Sequence, residues 1–357
     1  MKMKLILNAK VKERLQGYYP NDKFSLCSIN RVNTKPNSTV HRIRIFDKSK
    51  GYQDLYAKEC QTEVAPNIHE MISLKDSHER LLIPRIMDYY EEENIVLSEG
   101  VKGETLSKSL LKHSLSLGFA LNTETLLMSS RKIGHAIGVL QNLTNRGTER
   151  LGDLDIYLIK EIENEEYFKT ILKKDLLKDI KAQTENLKGL KTNISQYHGD
   201  PSPHNIFMKD DQVHLIDYSF HVNATFLDPA LYLVSLELAR SRLFHSIDDT
   251  VLKMENVFLY TYAETIKHDD WIYEWPLIKT LTYLHFLLMY AKRKKTIKNS
   301  LVASIDRRYL IKKIIEHGKR QHPIPTLQPF SPPSMRDAEI CEQSDIPSNN
   351  GKEVSDD

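Results

Sequence analysis

The chain is poor in the features that would mark several broad classes of protein. Only three of its 357 residues are cysteine, Cys27, Cys60 and Cys341, and they have no metal-ligand spacing. Neither a zinc framework nor a disulfide scaffold is indicated, and so few thiols fit a reducing compartment. Each reads as a small buried or incidental residue. Long apolar runs are lacking too. The longest, Leu281 to Ala291, is interrupted by His285, is too short to span a bilayer and reads as a buried helix. At the amino terminus, MKMKLILNAK holds only a three-residue apolar stretch, short of what a signal peptide needs. An excess of one charge is also missing: 50 basic and 48 acidic residues leave a net charge of +2. That balance gives no electrostatic reason to expect nucleic acid or a membrane as partner. The basic stretch Lys292 to Lys298 reads as a solvated helix face. The expected location is the cytoplasm.

Glycine is sparse where a phosphate-binding loop would need it. The first hundred residues contain no GxGxxG, and Asn30 to Thr39 has no glycine. What is there is ordinary for a soluble protein, with 40% hydrophobic and 27% charged residues. At 357 residues the chain exceeds the size at which one core usually stops growing, so two lobes are expected. Asn33 to Ser38 is turn chemistry, Val40 to Phe46 alternates apolar and basic side chains, and Leu55 to Lys58 reads as a short strand. A helix is predicted over 67–80, then strands at Ile83 to Tyr90 and Asn94 to Glu99 around the acidic turn Glu91 to Glu93. Together these predict a strand-rich amino-terminal lobe over residues 1–99. Gly100 to Gly103 reads as a hinge. Beyond it, Leu126 to Leu143 carries Ile133, Ile137 and Leu140 at helical spacing, and residues 159–190 are charged and periodic. A strand–turn–strand is predicted at 205–217, and helices then dominate, completing a second lobe over 100–321. From His322 the chain turns to PIPTLQPFSPPS and a polar, acidic end, so residues 322–357 are expected to be disordered.

Phosphoryl transfer asks a protein for a carboxylate that orients the attacking hydroxyl, ligands for a metal, and a cation on the phosphates. The segment YHGDPSPHNIF supplies the first two. Asp200 and Asn205 lie five residues apart, so one tight loop can aim both into a cleft. Asp217 follows Asp200 by seventeen residues and would be delivered beside the loop by the apolar strand 213–216. Aspartate and asparagine offer the hard oxygen that magnesium prefers. Taken singly, each residue also fits a turn or a helix cap. The constellation is what points to phosphoryl transfer.

HGDPSPHN followed by VHLIDY resembles the catalytic and metal-binding motifs of the aminoglycoside phosphotransferase and choline kinase-like superfamily, distant relatives of the protein kinases. The resemblance implies a bilobal protein-kinase-like α+β fold, with ATP and Mg2+ as cofactors. Residue by residue it assigns Asp200 to the acceptor hydroxyl, and Asn205 and Asp217 to the metal. His198 would hold the loop through hydrogen bonds. Gly199 suits a backbone conformation that bulkier residues resist. Asp228 would brace the loop from the next helix, a role compatible with capping that helix. In the first lobe, Lys58 resembles the lysine on the nucleotide's α- and β-phosphates. Glu70 resembles the glutamate that pairs with it, Glu63 being the competing partner. Backbone groups around Glu99 and Val101 would meet adenine.

Departures from the pattern narrow the substrate. Asp217 is followed by Tyr218 and Ser219, and position 202 is serine where protein serine/threonine kinases carry lysine. Only ten residues separate Asp217 from Asp228, which leaves little room for a peptide-binding segment. The resemblance spans roughly residues 24–290 and is strongest at 197–234. It implies a phosphotransferase acting on a hydroxyl of a small molecule: an aminoglycoside, a choline-like alcohol or a sugar. Asp269, Asp270, Trp271, Tyr273, Glu274 and Trp275 read as helix packing beside a solvated acidic turn, with a wall for a cationic acceptor as the other reading. The alternatives from other classes are a pseudokinase that binds a nucleotide or partner, and an interaction protein that recruits partners with its tail.

Overall fold

Apolar residues at alternate positions give the first strands a single inward face. Ile43, Ile45, Leu55, Ala57, Ile95 and Leu97 are buried together there, closed off by Ile29, Met87 and Tyr90. The computed structural model describes residue 13 and residues 24–35, 38–77, 82–115, 123–154, 156–163, 165–209, 212–242, 248–266, 274–292 and 297–318. Strands β1 (Phe24–Lys35), β2 (Ser38–Asp47), β3 (Gly51–Glu59), β4 (Ile86–Tyr90) and β5 (Ile95–Glu99) form an antiparallel sheet in the order β1-β2-β3-β5-β4. On its outer face Arg44 lies opposite Asp54 in register, and the guanidinium donates to that carboxylate at 2.8 and 3.0 Å. Lys58 stands on the face opposite Ala57 because side chains alternate. Its register partner is Val96, which clusters with Ile68 and Met71 of helix α1 (Ala65–Ser77).

That cluster is also the apolar seam between the lobes, because Leu140, Tyr218 and Phe220 of the second lobe complete it. The second lobe begins with β6 (Glu104–Thr105), α2 (Leu106–Leu115), α3 (Thr123–Leu143) and β7 (Thr148–Arg150). It continues with α4 (Lys174–Leu187), β8 (Lys191–Tyr197), β9 (Ile206–Lys209), β10 (Gln212–Leu215) and β11 (His221–Ala224). Helices α5 (Leu227–Ser241), α6 (Asp248–Ile266), α7 (Trp275–Lys292) and α8 (Ile297–Gly318) follow. Two three-stranded sheets, β10-β9-β6 and β11-β8-β7, lie where the site is built. The rest is a helical core around Tyr232, Phe258, Tyr262 and Tyr283. Helices α3 and α6 approach so closely that a Cβ on Gly134 would lie 2.7 Å from the Phe258 carbonyl oxygen.

The bilobal α+β fold is the expected one, with differences inside it. Residues 159–190 form short helical segments, including Tyr157–Lys160 and Glu165–Lys169, before α4. Strand β8, Lys-Thr-Asn-Ile-Ser-Gln-Tyr, follows without having been expected: Thr192, Ile194 and Tyr197 favour a strand, but Asn, Ser and Gln between them break the apolar alternation that would announce one. Most of the aromatic and acidic group at 269–275 lies outside the described residues, and Trp275 packs against the helical core. Residues 293–296 of the basic stretch lie outside them as well. The chain divides into two units, Met1–Lys319 and Arg320–Asp357, and the second, with the tail expected to be disordered, lies wholly outside the described residues. Among the described residues, no helix is long and apolar enough to cross a membrane.

Candidate active site

Strand β8 buries its last four residues and leads straight into the segment from His198 to Asn205. The chain turns at Gly199, whose φ of +86° lies in the left-handed region, and a Cβ there would stand 2.8 Å from that of Ser219. Asp228, fully buried in the first turn of α5, receives the N–H groups of His198 and Gly199 on its two carboxylate oxygens, at 2.7 and 2.9 Å. Burial pushes its carboxyl up to about 7, against the pull of those two donors. Asp228 therefore braces the loop; Phe226, the residue at the N-cap position of α5, makes no side-chain cap. His198 is itself buried, and burial pushes its imidazole down to about 4. The neutral ring accepts the Asp200 N–H on Nδ1 at 3.3 Å.

A second segment is laced to the first. Ile216 donates its N–H to the Asn205 carbonyl at 2.8 Å, and Ser219 donates its N–H to the His198 carbonyl at 2.9 Å. The Ser219 hydroxyl donates to the Tyr197 carbonyl, also at 2.9 Å. Between these ties Asp217 takes a φ of 64° and Phe220 one of 60°. This tight turn places the Asp217 carboxylate where the Lys58 ammonium meets it at 2.7 Å. The same ammonium donates to the Tyr218 carbonyl at 2.6 Å. Asn205 donates through Nδ2 to the Asp200 carbonyl at 2.9 Å, so its side-chain oxygen takes no part in that bond. Lys58 and Asp217 thus meet although they stand 159 positions apart in the chain, beside the loop that holds Asp200 and Asn205.

Glu70 departs from the expectation. It does not pair with Lys58, whose partners are Asp217 and Tyr218. Its carboxylate turns to the second lobe instead, where it pairs with Arg146 and accepts the Gln196 amide at 2.5 Å. Glu63 is not the lysine's partner either: it sits exposed in the single turn Thr62–Val64. Glu99 ends β5 and donates its N–H to the Arg85 carbonyl at 2.9 Å, while the Gly100 N–H donates to the Asp54 carbonyl at 2.7 Å. Val101 follows directly at the segment that joins the lobes.

Other polar groups near this cleft escaped the sequence reading. Glu161 and His285 meet at 2.7 Å, and the Tyr157 ring lies 4.8 Å from that of His285. The Tyr157 phenol is pushed well up, first by burial and then by nearby negative groups that include Glu161, Asp228 and Asp200. Arg146 lies in no motif. Gln196, a buried amide two residues ahead of His198, carried the one usable signal.

No family model matches this chain, and no curated protein matches it either. Solved structures do. A glucosamine kinase in complex with glucosamine, ADP and inorganic phosphate superposes with a TM-score of 0.55 at 12% identity, over 84% of this chain and 81% of that one. Another crystal form of glucosamine kinase gives a TM-score of 0.56 at 12% identity, over 85% and 81%. The fold described above is shared with these kinases.

Proposed function

We propose that the protein is an ATP- and magnesium-dependent phosphotransferase acting on a hydroxyl of a small molecule. The observation that carries this reading is the contact of Lys58 with Asp217 at 2.7 Å across the cleft, beside the loop that holds Asp200 and Asn205. The four residues are of the kinds that phosphoryl transfer uses: an orienting carboxylate, hard-oxygen metal ligands and a cation for the phosphates.

Asp200 would orient the acceptor hydroxyl and receive its proton. Asn205 and Asp217 would hold Mg2+, which supplies positive charge against the phosphate oxygens. One amide oxygen and one carboxylate suit a cation that takes few protein ligands and keeps waters and phosphate oxygens for the rest. Lys58 would steady the phosphates, and the main chain around Glu99 and Val101 would receive the adenine. Most of the rate would come from placement and electrostatics, because the protein makes no covalent contribution. A small acceptor is favoured over a peptide, since β11 occupies residues 221–224 of the short stretch between Asp217 and Asp228 and is paired to β8. Tyr157 feels the charges of both Glu161 and Asp200, which brings polar groups of the second lobe to the site, and glucosamine in the similar structure makes sugars and amino sugars the first acceptors to test.

The test is magnesium-dependent turnover of ATP with a panel of sugars, amino sugars and alcohols. Asp200→Ala is expected to lower kcat by about 10²- to 10⁴-fold with nucleotide affinity retained. Turnover indifferent to that substitution would overturn the role given to Asp200. Nucleotide binding without turnover for any acceptor would replace the enzyme with a nucleotide-binding protein.

A further inference from the structure

Helix α1 is tied to the second lobe by polar contacts as well as by the apolar seam. Asn67 donates its amide to the Phe220 carbonyl at 2.7 Å, three residues beyond Asp217. Gln196, fully buried in β8, donates its amide both to the Asn67 carbonyl at 3.2 Å and to the Glu70 carboxylate at 2.5 Å. Arg146 completes the set by pairing with the same Glu70 oxygen. Its own main chain is fixed, because its N–H donates to the Ile194 carbonyl of β8 at 2.7 Å. Both partners of Glu70 therefore belong to, or are hydrogen-bonded to, the strand that leads into His198. Lys58 meanwhile is held by Asp217 and the Tyr218 carbonyl, with no contribution from Glu70.

We propose that Glu70 is a cross-lobe anchor and that Arg146 is a positioning residue, the two holding α1 on β8 so that the loop carrying Asp200 keeps its place relative to Lys58. This rests on the phosphotransferase reading above. The ion pair is partly exposed, so the coupling it adds to stability is small, though a double-mutant cycle reads it. Its effect is on alignment, to which phosphoryl transfer is sensitive because it depends on in-line placement of two substrates. The carboxylate that meets the lysine is Asp217, not Glu70.

A double-mutant cycle on the full chain tests this, with Glu70→Gln, Arg146→Ala and the two combined. The anchor predicts that each single variant loses about tenfold in kcat with KM for ATP changed less than about threefold, that the double variant is no worse than either, and that Arg146→Lys recovers most of the loss. Arg146→Ala with unchanged kcat would overturn the proposal, as would additive losses in the double variant. So would a Glu70→Gln defect confined to KM for ATP, which is what a lysine clamp would give. The same cycle read in the affinity for a fluorescent ATP analogue, where the anchor predicts no coupling, and in thermal unfolding, where it predicts coupling between the two sites, needs no turnover. Coupling in unfolding with no acceptor turned over by the wild type would retain the anchor and remove the phosphotransferase reading. Absence of coupling in an active enzyme would do the reverse.

Discussion

Asp228 and Glu255 are both buried carboxyls raised to about 7, yet their surroundings differ. Asp228 receives two main-chain N–H groups, whereas the Oε1 atom of Glu255 has no hydrogen-bond partner among the described residues. Burial raises Glu255 first, and Glu237 next to it second. Glu237 takes the available donors, pairing with Lys279 and accepting the Tyr283 and Tyr309 hydroxyls at 2.6 and 3.0 Å. A carboxyl raised on folding favours the fold below its ordinary pKa of about 4.5, and that contribution is lost as pH climbs through 7. Glu255→Gln is thus expected to raise Tm by about 3 °C or more at pH near 8, with the gap closing toward pH 4.5; thermal unfolding across that range checks it. At the cleft, Lys58→Ala is expected to cost roughly 10²-fold in kcat/KM for ATP, measured by steady-state kinetics. Asp200, Asn205 and Asp217 were legible as a group because their spacing forces them onto one loop and the end of one strand. The partner of Glu70 was not, because it depends on how α1 is turned and on Arg146, which no motif announces.

At the scale of elements, patterns that carry their own physics were the readable ones. The hairpin of β9 and β10 follows from two short apolar runs around Lys209 to Asp211, and α1 from its apolar spacing, with bounds at Ala65–Ser77 in place of 67–80. Strands β8 and β11 are held by tertiary partners: Ala224 of β11 lies opposite Ile194 of β8, and the Gln196 N–H of β8 donates to the Thr144 hydroxyl at 3.1 Å. Such strands leave little periodic trace in the sequence. The packing of α3 on α6 is equally hidden, since it turns on a missing side chain. Gly134→Ala would push a methyl group to 2.7 Å from a carbonyl oxygen that the helix cannot readily move. The expected cost is about 1–3 kcal/mol of stability with kcat nearly unchanged, read by chemical denaturation and kinetics together.

For the whole molecule, two lobes were foreseeable from length and from the change from strand to helix patterning near residue 100. How they meet was not, because the seam combines residues from α1, β4, β5, α3 and the Tyr218–Phe220 stretch. The carboxy-terminal segment belongs to a separate unit. Deleting residues 322–357 is accordingly expected to leave kcat within about twofold of wild type, and complete loss of activity would give that segment a part in catalysis. The loop at the heart of the cleft is framed mainly through main-chain groups: His198 and Gly199 N–H on Asp228, Ser219 N–H on the His198 carbonyl, Ile216 N–H on the Asn205 carbonyl. Every residue except proline can supply such groups. Most side chains around the loop can therefore be replaced without moving it, so long as the carboxylate at 228 and the small residue at 199 are kept. A fold shared with glucosamine kinase at only 12% identity is compatible with a frame of that kind.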